Sequence, residues 1–95
     1  MPSISVVIPV YNAAGYLRSC LQCLSKSSVC PLECIVVDDG STDESPRIAE
    51  EFGAKLLATG GRRGPAYARN LGAEQAEGEI LFFIDSDVCV LRNQV

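Results

Sequence analysis

Residues 4–12 of the chain read ISVVIPVYN, and this stretch decides the fold. The run from Ile4 to Val10 is almost entirely apolar and mostly β-branched, which is typical of a strand buried on both faces of a parallel sheet. We expect Pro9 near the end of this strand and Asn12 as the N-cap of the helix that follows. That helix is predicted to end near Ser27 and carries an apolar stripe formed by Leu17, Cys20, Leu21 and Leu24.

The same alternation of strand and helix continues along the chain. Three further apolar runs predict strands at residues 34–37, 55–58 and 80–84. The helix before each of the last two strands begins near a proline, Pro46 or Pro65, and the cap of the first of them falls within residues 43–45. Gly53 and Gly78 follow the ends of these helices. The order βαβαβαβ predicts an α/β fold of three layers, in which helices cover both faces of an open, mostly parallel sheet.

Length and charge limit the functions that the chain can have. Its 95 residues form one domain, residues 1–95, because a single core usually occupies about 100–150 residues. Eight Lys and Arg against twelve Asp and Glu give a net charge of −4, so there is no general basic surface for nucleic acid or anionic lipid. Histidine is absent, which excludes Ser-His-Asp catalysis and histidine-ligated metals.

Cysteine usage and hydropathy bear on the cellular location. Five cysteines are an odd number, and without a signal-peptide pattern they fit reduced thiols better than disulfides, so we expect a cytoplasmic protein. No apolar stretch approaches the roughly 18–20 residues of a membrane-spanning helix, so membrane association would require other segments. The spacing of four of the cysteines also permits zinc. Cys20 and Cys34, however, fall on apolar faces, where a thiol acts as a small hydrophobe.

Polar residues follow three of the predicted strands. The first strand runs into Tyr11 and Asn12, the second into Asp38-Asp39-Gly40 and the last into Asp85-Ser86-Asp87. In open α/β sheets, ligands bind at the carboxyl ends of the strands, where these residues would meet. Crowded carboxylates repel one another unless a cation compensates, and hard oxygen ligands suit Mg²⁺ or Mn²⁺ shared with a phosphorylated substrate.

Each motif has a simpler interpretation when it stands alone. Asp-Asp-Gly-Ser is common as a turn followed by a helix cap, and an Asp-x-Asp triplet occurs often by chance. The loop at residues 60–64, with two arginines, fits a phosphate cradle and a solvated loop equally well. Tyr16 and Tyr67 are interpreted as packing residues, and Arg69 lies either on a solvated helix face or at a substrate. Only the joint placement of the motifs favours a site.

Four ordered motifs give the chain a resemblance to a known family. They are residues 4–12 (ISVVIPVYN), residues 36–43 (VVDDGSTD), residues 68–72 (ARNLG) and residues 77–87 (EGEILFFIDSD). The sequence resembles the N-terminal, nucleotide-sugar-binding part of family 2 glycosyltransferases. The resemblance implies a GT-A fold, of which this part would be the Rossmann-like half.

The resemblance also implies roles for the matching residues. Pro9 and Tyr11 would line the nucleotide site, and Asp39 would hydrogen-bond the base. Arg69 would be a further contact to the nucleotide sugar.

The remaining implied roles belong to the last motif. Asp85 and Ser86 would lie beside the ribose and the diphosphate. Asp87, together with Asp85, would hold Mg²⁺ or Mn²⁺. A cation held in this way neutralises the charge that develops on a leaving diphosphate.

The implied activity is transfer of a sugar from a nucleotide-diphosphate donor, most often a UDP-sugar, to an acceptor hydroxyl with inversion. The sugar and the acceptor are not assigned. The general base, usually a carboxylate, is expected beyond Val95, so we expect this chain alone to be inactive. The last strand would leave apolar surface uncovered in such a fragment, and we therefore expect a homodimer.

Two other functions compete with this interpretation. A non-catalytic nucleotide-binding module would keep the donor contacts and transfer nothing. A receiver-type signalling domain would use Asp38, Asp39 and Asp85 as a magnesium-binding cluster. It needs a further acid at the end of the third strand, where this chain has Ala58 and Thr59.

Overall fold

The structure, a computed structural model, describes residues 3–26 and 31–84. Within them the chain alternates strands and helices as predicted. The elements are β1 (Ile4–Val10), α1 (Ala14–Lys26), β2 (Glu33–Asp38), α2 (Ser45–Glu51), β3 (Lys55–Ala58), α3 (Pro65–Gln75) and β4 (Ile80–Phe83).

The four strands form one parallel sheet in the order β3-β2-β1-β4. The chain first moves outward from β1 through β2 to β3, and α3 then carries it back across the sheet to place β4 on the other side of β1. This confirms the predicted α/β fold. Ligands bind preferentially where the strand order reverses in this way, at the carboxyl ends of the strands.

Helices cover both faces of the sheet. On one face, α1 and α2 pack Leu17, Leu21 and Ile48 against the β1 side chains of Val6 and Ile8. On the other face, Ala68 and Leu71 of α3 pack against Val7, Ile35 and Val37. Successive residues of a strand point to opposite faces, so β1 and β2 have to be apolar almost throughout. The predicted three layers are thereby confirmed.

The start of α1 differs from the prediction that Asn12 caps it. The helix begins at Ala14, whose amide N–H donates to Asp43 Oδ2 at 3.1 Å. Asn12 has a φ of 46°, a left-handed conformation that asparagine adopts more readily than most residues. Its Oδ1 accepts the N–H of Thr42 at 2.7 Å, and its own N–H donates to Ser41 Oγ at 2.9 Å. Asn12 therefore joins the loops after β1 and β2.

The ends of α2 follow the sequence signals. The N-cap is Glu44, inside the predicted interval, and Asp43 Oδ1 accepts the N–H of Ser45 at 2.9 Å. At the other end Gly53 has a φ of 76° and donates its N–H to the Glu50 carbonyl, as in a Schellman motif.

A hydrogen-bonded cluster closes the amino edge of the sheet. Ser5 is fully buried, and its Oγ donates to Glu33 Oε2 at 2.6 Å and accepts the N–H of Gly78 at 2.8 Å. The N–H of Glu77 also donates to Glu33 Oε2, which lowers the pKa of Glu33. A Cβ at Gly78 would lie 2.6 Å from Ser5 Oγ, so glycine is needed there. The entry into β4 is fixed by these contacts.

The three cysteines within the described residues divide into two groups. Cys20 is buried in the core and Cys34 packs against it, as predicted for small hydrophobic side chains, and burial raises the pKa of these free thiols to about 11 and about 12. Cys23 is disulfide-bonded, so the prediction of reduced thiols is wrong at that residue.

Two further features concern the apolar parts of the described helices and strands. None of the helices in the described ranges has the length and apolarity needed to cross a membrane. The side chains of β4, at one edge of the described sheet, are 39–45% exposed, and all four are large and apolar: Ile80, Leu81, Phe82 and Phe83.

The packing of α3 on the sheet generates a first test, the substitution Gly72→Ala. A Cβ at this position would collide with Cγ1 of Val7 and lie 3.1 Å from Cγ2 of Val37. Overpacking costs about 1–3 kcal/mol, and the higher helix propensity of alanine offsets up to about 1 kcal/mol of that cost. We expect the free energy of unfolding, measured by chemical denaturation, to fall by about 1–2 kcal/mol.

The matched control is Gly15→Ala in α1, where a Cβ would meet nothing within 4 Å. This control should show no loss of stability. Equal stabilities for the two variants would mean that the spacing between α3 and the sheet does not depend on the missing side chain of Gly72.

Candidate functional site

Strand pairing places three residues side by side at the carboxyl edge of the sheet. Val10 is paired with Asp38, and Asp38 is paired with Ala58. The next residue of each strand is therefore Tyr11, Asp39 or Thr59. Backbone hydrogen bonds extend this pairing, because the N–H of Asp39 donates to the Val10 carbonyl at 2.9 Å and that of Thr59 to the Asp38 carbonyl at 3.0 Å.

Asp39 is the centre of this edge. Its side chain is almost completely buried, with the residue 3% exposed. Oδ1 accepts the hydroxyl of Thr59 and the N–H of Arg63, each at 2.7 Å, and Oδ2 accepts the N–H of Gly64 at 2.9 Å. The guanidinium of Arg62 makes a longer contact to Oδ2 at 3.5 Å. The loop between β3 and α3 is thus wrapped around one carboxylate.

These contacts keep Asp39 ionised. Burial is the largest single influence, and alone it would raise the pKa of the carboxyl. The hydrogen bonds from Arg63, Thr59 and Gly64, with the charge of Arg62, outweigh burial and hold the pKa of Asp39 below its ordinary value. Asp39 is an anion at neutral pH.

A cleft of about 430 Å³ opens beside Asp39. Its wall comes from the ends of β1 and β2, the start of α1, the loop before α3 and the start of α3. The lining residues are Pro9, Val10, Tyr11, Asn12, Ala13, Tyr16, Asp39, Arg62, Pro65 and Ala68. Tyr11 is 42% exposed, and the guanidinium carbon of Arg62 lies 3.7 Å from the centroid of its ring. The cleft therefore combines an aromatic face, a buried anion and a cation, the guanidinium of Arg62, whose side chain is 54% exposed.

The structure brings together three of the predicted site residues. Pro9, Tyr11 and Asp39 all line the cleft. Arg69 is half-buried on α3 and does not line it. Asp85, Ser86 and Asp87 lie outside the described residues.

The predicted metal ligands therefore lie outside the described residues, but the chain that leads to them is described as far as Ile84. The N–H of Ile84 donates to the carbonyl of Val7 at 3.0 Å, so pairing with β1 continues beyond β4 toward the carboxyl edge. Within residues 3–26 and 31–84, no three acidic, cysteine or histidine side chains are grouped to hold a metal ion.

Sequence reasoning misinterpreted two tyrosines and did not place Arg62 at the site. Tyr16 and Tyr67 are 62% and 44% exposed, so the interpretation as packing residues is wrong, and Tyr16 lines the cleft. The loop at residues 60–64 uses its amides to bind Asp39, an anion of the protein itself. The orientation of Arg62 onto Tyr11 has no local sequence signal, because the two residues are brought together by the sheet.

Comparison with known proteins places the chain among glycosyltransferases. The family model described as Glycosyl transferase family 2 matches residues 5–95. The chain is 45% identical to a protein of Haemophilus influenzae described as an uncharacterized glycosyltransferase, in an alignment covering 100% of this chain and 40% of the relative.

Solved structures give the same result for the fold. The crystal structure of S. aureus TarS 1–349 in complex with UDP-GlcNAc matches with a TM-score of 0.84 and 36% identity, covering 90% of this chain and 26% of that one. The mannosyltransferase PcManGT from Pyrobaculum calidifontis, in complex with GDP-Man and Mn²⁺, matches with a TM-score of 0.84 and 30% identity, covering 90% and 28%. The chain spans less than half the length of each of these proteins.

The environment of Asp39 generates a second test, the substitution Asp39→Asn. An amide keeps one acceptor and turns the other into a donor, which leaves a buried N–H without its partner at a cost of about 1–3 kcal/mol at pH 7. In the wild type the folded pKa lies below the unfolded one. Its contribution to stability is therefore present above about pH 4 and is lost as the pH falls through the folded pKa. The variant should show a smaller loss of stability between pH 7 and pH 3.

The control is Glu51→Gln, which removes an exposed ion pair with Arg18 at 3.0 Å. Exposed ion pairs contribute little to stability, so this variant should have nearly the wild-type free energy of unfolding. All three proteins are to be compared by urea denaturation at pH 7 and pH 3. An Asp39→Asn variant with wild-type stability at both pH values would show that the loop does not depend on the carboxylate.

Proposed function

The chain belongs to glycosyl transferase family 2, and from this premise we propose that its cleft binds the nucleotide of a UDP-sugar. In the complete protein, the sugar would be transferred from this donor to an acceptor hydroxyl with inversion. The observation that carries the proposal is the exposed ring of Tyr11 beside the buried, ionised carboxylate of Asp39.

These two groups suit a nucleobase that has an N–H on its edge. A base stacks on an exposed aromatic ring, with a contribution of about 1–3 kcal/mol per base. A carboxylate only accepts hydrogen bonds, so it favours uracil, whose imide N–H donates, and it opposes cytosine, whose corresponding ring nitrogen is an acceptor. Of the four contacts to the Asp39 carboxylate, the one from Arg62 to Oδ2 is the longest at 3.5 Å, so it is the one that such a donor would replace.

The solved relatives support this class of donor. TarS is in complex with UDP-GlcNAc, and PcManGT with GDP-Man and Mn²⁺. Guanine also has N–H groups on its edge, so a GDP-sugar is the alternative donor. The bases of UDP and GDP therefore have to be compared directly.

A divalent cation, Mg²⁺ or Mn²⁺, is part of the proposal. Asp87 and Asp85 would hold it through hard carboxylate oxygens, and Ser86 would lie beside the diphosphate. Bound there, the cation would neutralise charge on the leaving diphosphate. Support comes from the pairing of Ile84 with β1, which leads the chain toward the edge where the cleft lies.

The general base is not assigned to a described residue. Asp39 is the one carboxylate of the described residues that lines the cleft, and its oxygens are already bound by three short hydrogen bonds. A base needs a free oxygen within reach of the acceptor hydroxyl, and a lowered pKa weakens it further. We therefore propose that these 95 residues bind the donor without transferring the sugar. As a candidate function in its own right, a non-catalytic nucleotide-binding module rests on the same observation.

The proposal generates a third test, a calorimetric titration of UDP, GDP and CDP into the 95-residue chain with Mn²⁺. UDP should bind best. Tyr11→Ala should weaken UDP binding about tenfold or more, because each 1.4 kcal/mol of lost stacking is a factor of ten. The matched control is Tyr67→Ala, which removes a tyrosine of similar exposure that does not line the cleft.

The metal is tested in the same titrations. UDP binding should weaken without Mn²⁺ and in Asp87→Asn, while binding of uridine, which has no phosphate, should change in neither case. Glu74→Gln, at an exposed position of α3, is the control acid. Equal UDP binding by the wild type and Tyr11→Ala would overturn the assignment of the base site, and metal-independent binding would overturn that of Asp87.

We also propose that the chain self-associates through β4. β4 is an edge strand of the described sheet, so its outer backbone groups have no partner strand among the described residues. Its four apolar side chains are also exposed, and together these features favour strand pairing with a second copy. Sedimentation should show a dimer for the wild type and a monomer for Leu81→Lys. A monomeric wild type would contradict the prediction.

A further inference from the structure

Arg62 makes both of the contacts that the proposed base would make, one to the Tyr11 ring and one to the Asp39 carboxylate. Its guanidinium carbon lies 3.7 Å from the centroid of the Tyr11 ring, within the distance at which a cation is attracted to an aromatic face. Its Nη1 lies 3.5 Å from Asp39 Oδ2. A guanidinium is planar and carries N–H donors along its edge, as a uracil ring does at its imide.

We propose that Arg62 is an internal occupant of the base site, which a nucleotide has to displace. This inference rests on the proposed function, because it requires that a base stacks on Tyr11 and donates to Asp39. It assigns to Arg62 a role in setting the affinity and the selectivity of the site.

The displacement requires only a side-chain movement. The amides of Arg63 and Gly64 donate to Asp39 at 2.7 and 2.9 Å, and the hydroxyl of Thr59 donates to the same carboxylate at 2.7 Å. The Arg62 side chain, in contrast, is 54% exposed and makes the longest contact to the carboxylate. Arg62 can leave while the buried anion keeps its three short hydrogen bonds.

An occupant of this kind also discriminates among ligands. A ligand that stacks on Tyr11 and also donates to Asp39 replaces both contacts of Arg62. A ligand that stacks but presents an acceptor to Asp39 loses the ion pair and gains repulsion from the carboxylate. A phosphate without a base replaces neither contact and leaves Arg62 in place.

The test is an NMR titration of uridine into the wild type and into Arg62→Ala. Uridine carries no phosphate, so a contact between Arg62 and phosphate cannot enter the result. Removing the occupant should tighten uridine binding about fivefold, which is on the order of 1 kcal/mol at a factor of ten per 1.4 kcal/mol. Arg47→Ala, which removes an exposed arginine paired with Glu44 on α2, should leave the affinity unchanged.

A second measurement keeps this inference separate from the proposed function. In the free wild type, the side-chain protons of Arg62 should show an upfield ring-current shift that is lost in Tyr11→Leu. If uridine binds the wild type and Arg62→Ala equally, or binds the variant more weakly, Arg62 is not an occupant and only this inference is overturned. If no variant binds uridine although the upfield shift is present, the base site of the proposed function fails and this inference fails with it.

Discussion

The burial of one carboxylate organises the carboxyl edge of the sheet. Asp39 follows β2 directly and is 3% exposed, so its charge has to be satisfied by donors from the protein. Those donors are the amides of Arg63 and Gly64 and the hydroxyl of Thr59. Binding them requires the loop before α3 to fold back over the end of β2, which sets where α3 begins. One wall of the cleft therefore exists because Asp39 is buried.

The loop after β2 fixes the opposite wall as well. Ser41 and Thr42 form hydrogen bonds with Asn12, and Asp43 accepts a hydrogen bond from the first N–H of α1. The turn that carries Tyr11 is therefore stabilised by a segment about 30 residues further along the chain. Gly40 is required between these contacts, because a Cβ there would lie 3.0 Å from the backbone of Gly61. Both walls of the cleft are thus attached to the segment that follows β2. A cleft built in this way is largely formed before a ligand arrives.

Local signals were enough to predict the fold, but not the details of the site. Apolar β-branched runs and the positions of proline and glycine predicted every described strand and helix, because these signals act over a few residues. Asn12 was predicted as a cap from the same local rule. The structure instead caps α1 with Asp43, 29 residues from Ala14. Arg62 was placed only within an ambiguous loop, since its contact with Tyr11 depends on the order of the strands. The meeting of Tyr11 and Asp39 could be predicted, because it follows from strand order alone. The individual side-chain contacts between distant segments, such as Asp43 with Ala14 and Arg62 with Tyr11, could not.

The two groups proposed to bind the base also attract a cation from the protein itself. A buried anion beside an exposed aromatic ring attracts any planar cation on a nearby loop, and Arg62 satisfies both groups at once. Under the proposed displacement, the stabilisation that Arg62 gives the free protein would be lost when a base takes its place, so it would be subtracted from the affinity for the ligand. The three short hydrogen bonds to Asp39 do not take part in this exchange. Separating a fixed set of donors from one replaceable donor lets the same carboxylate hold the loop and still face the cleft.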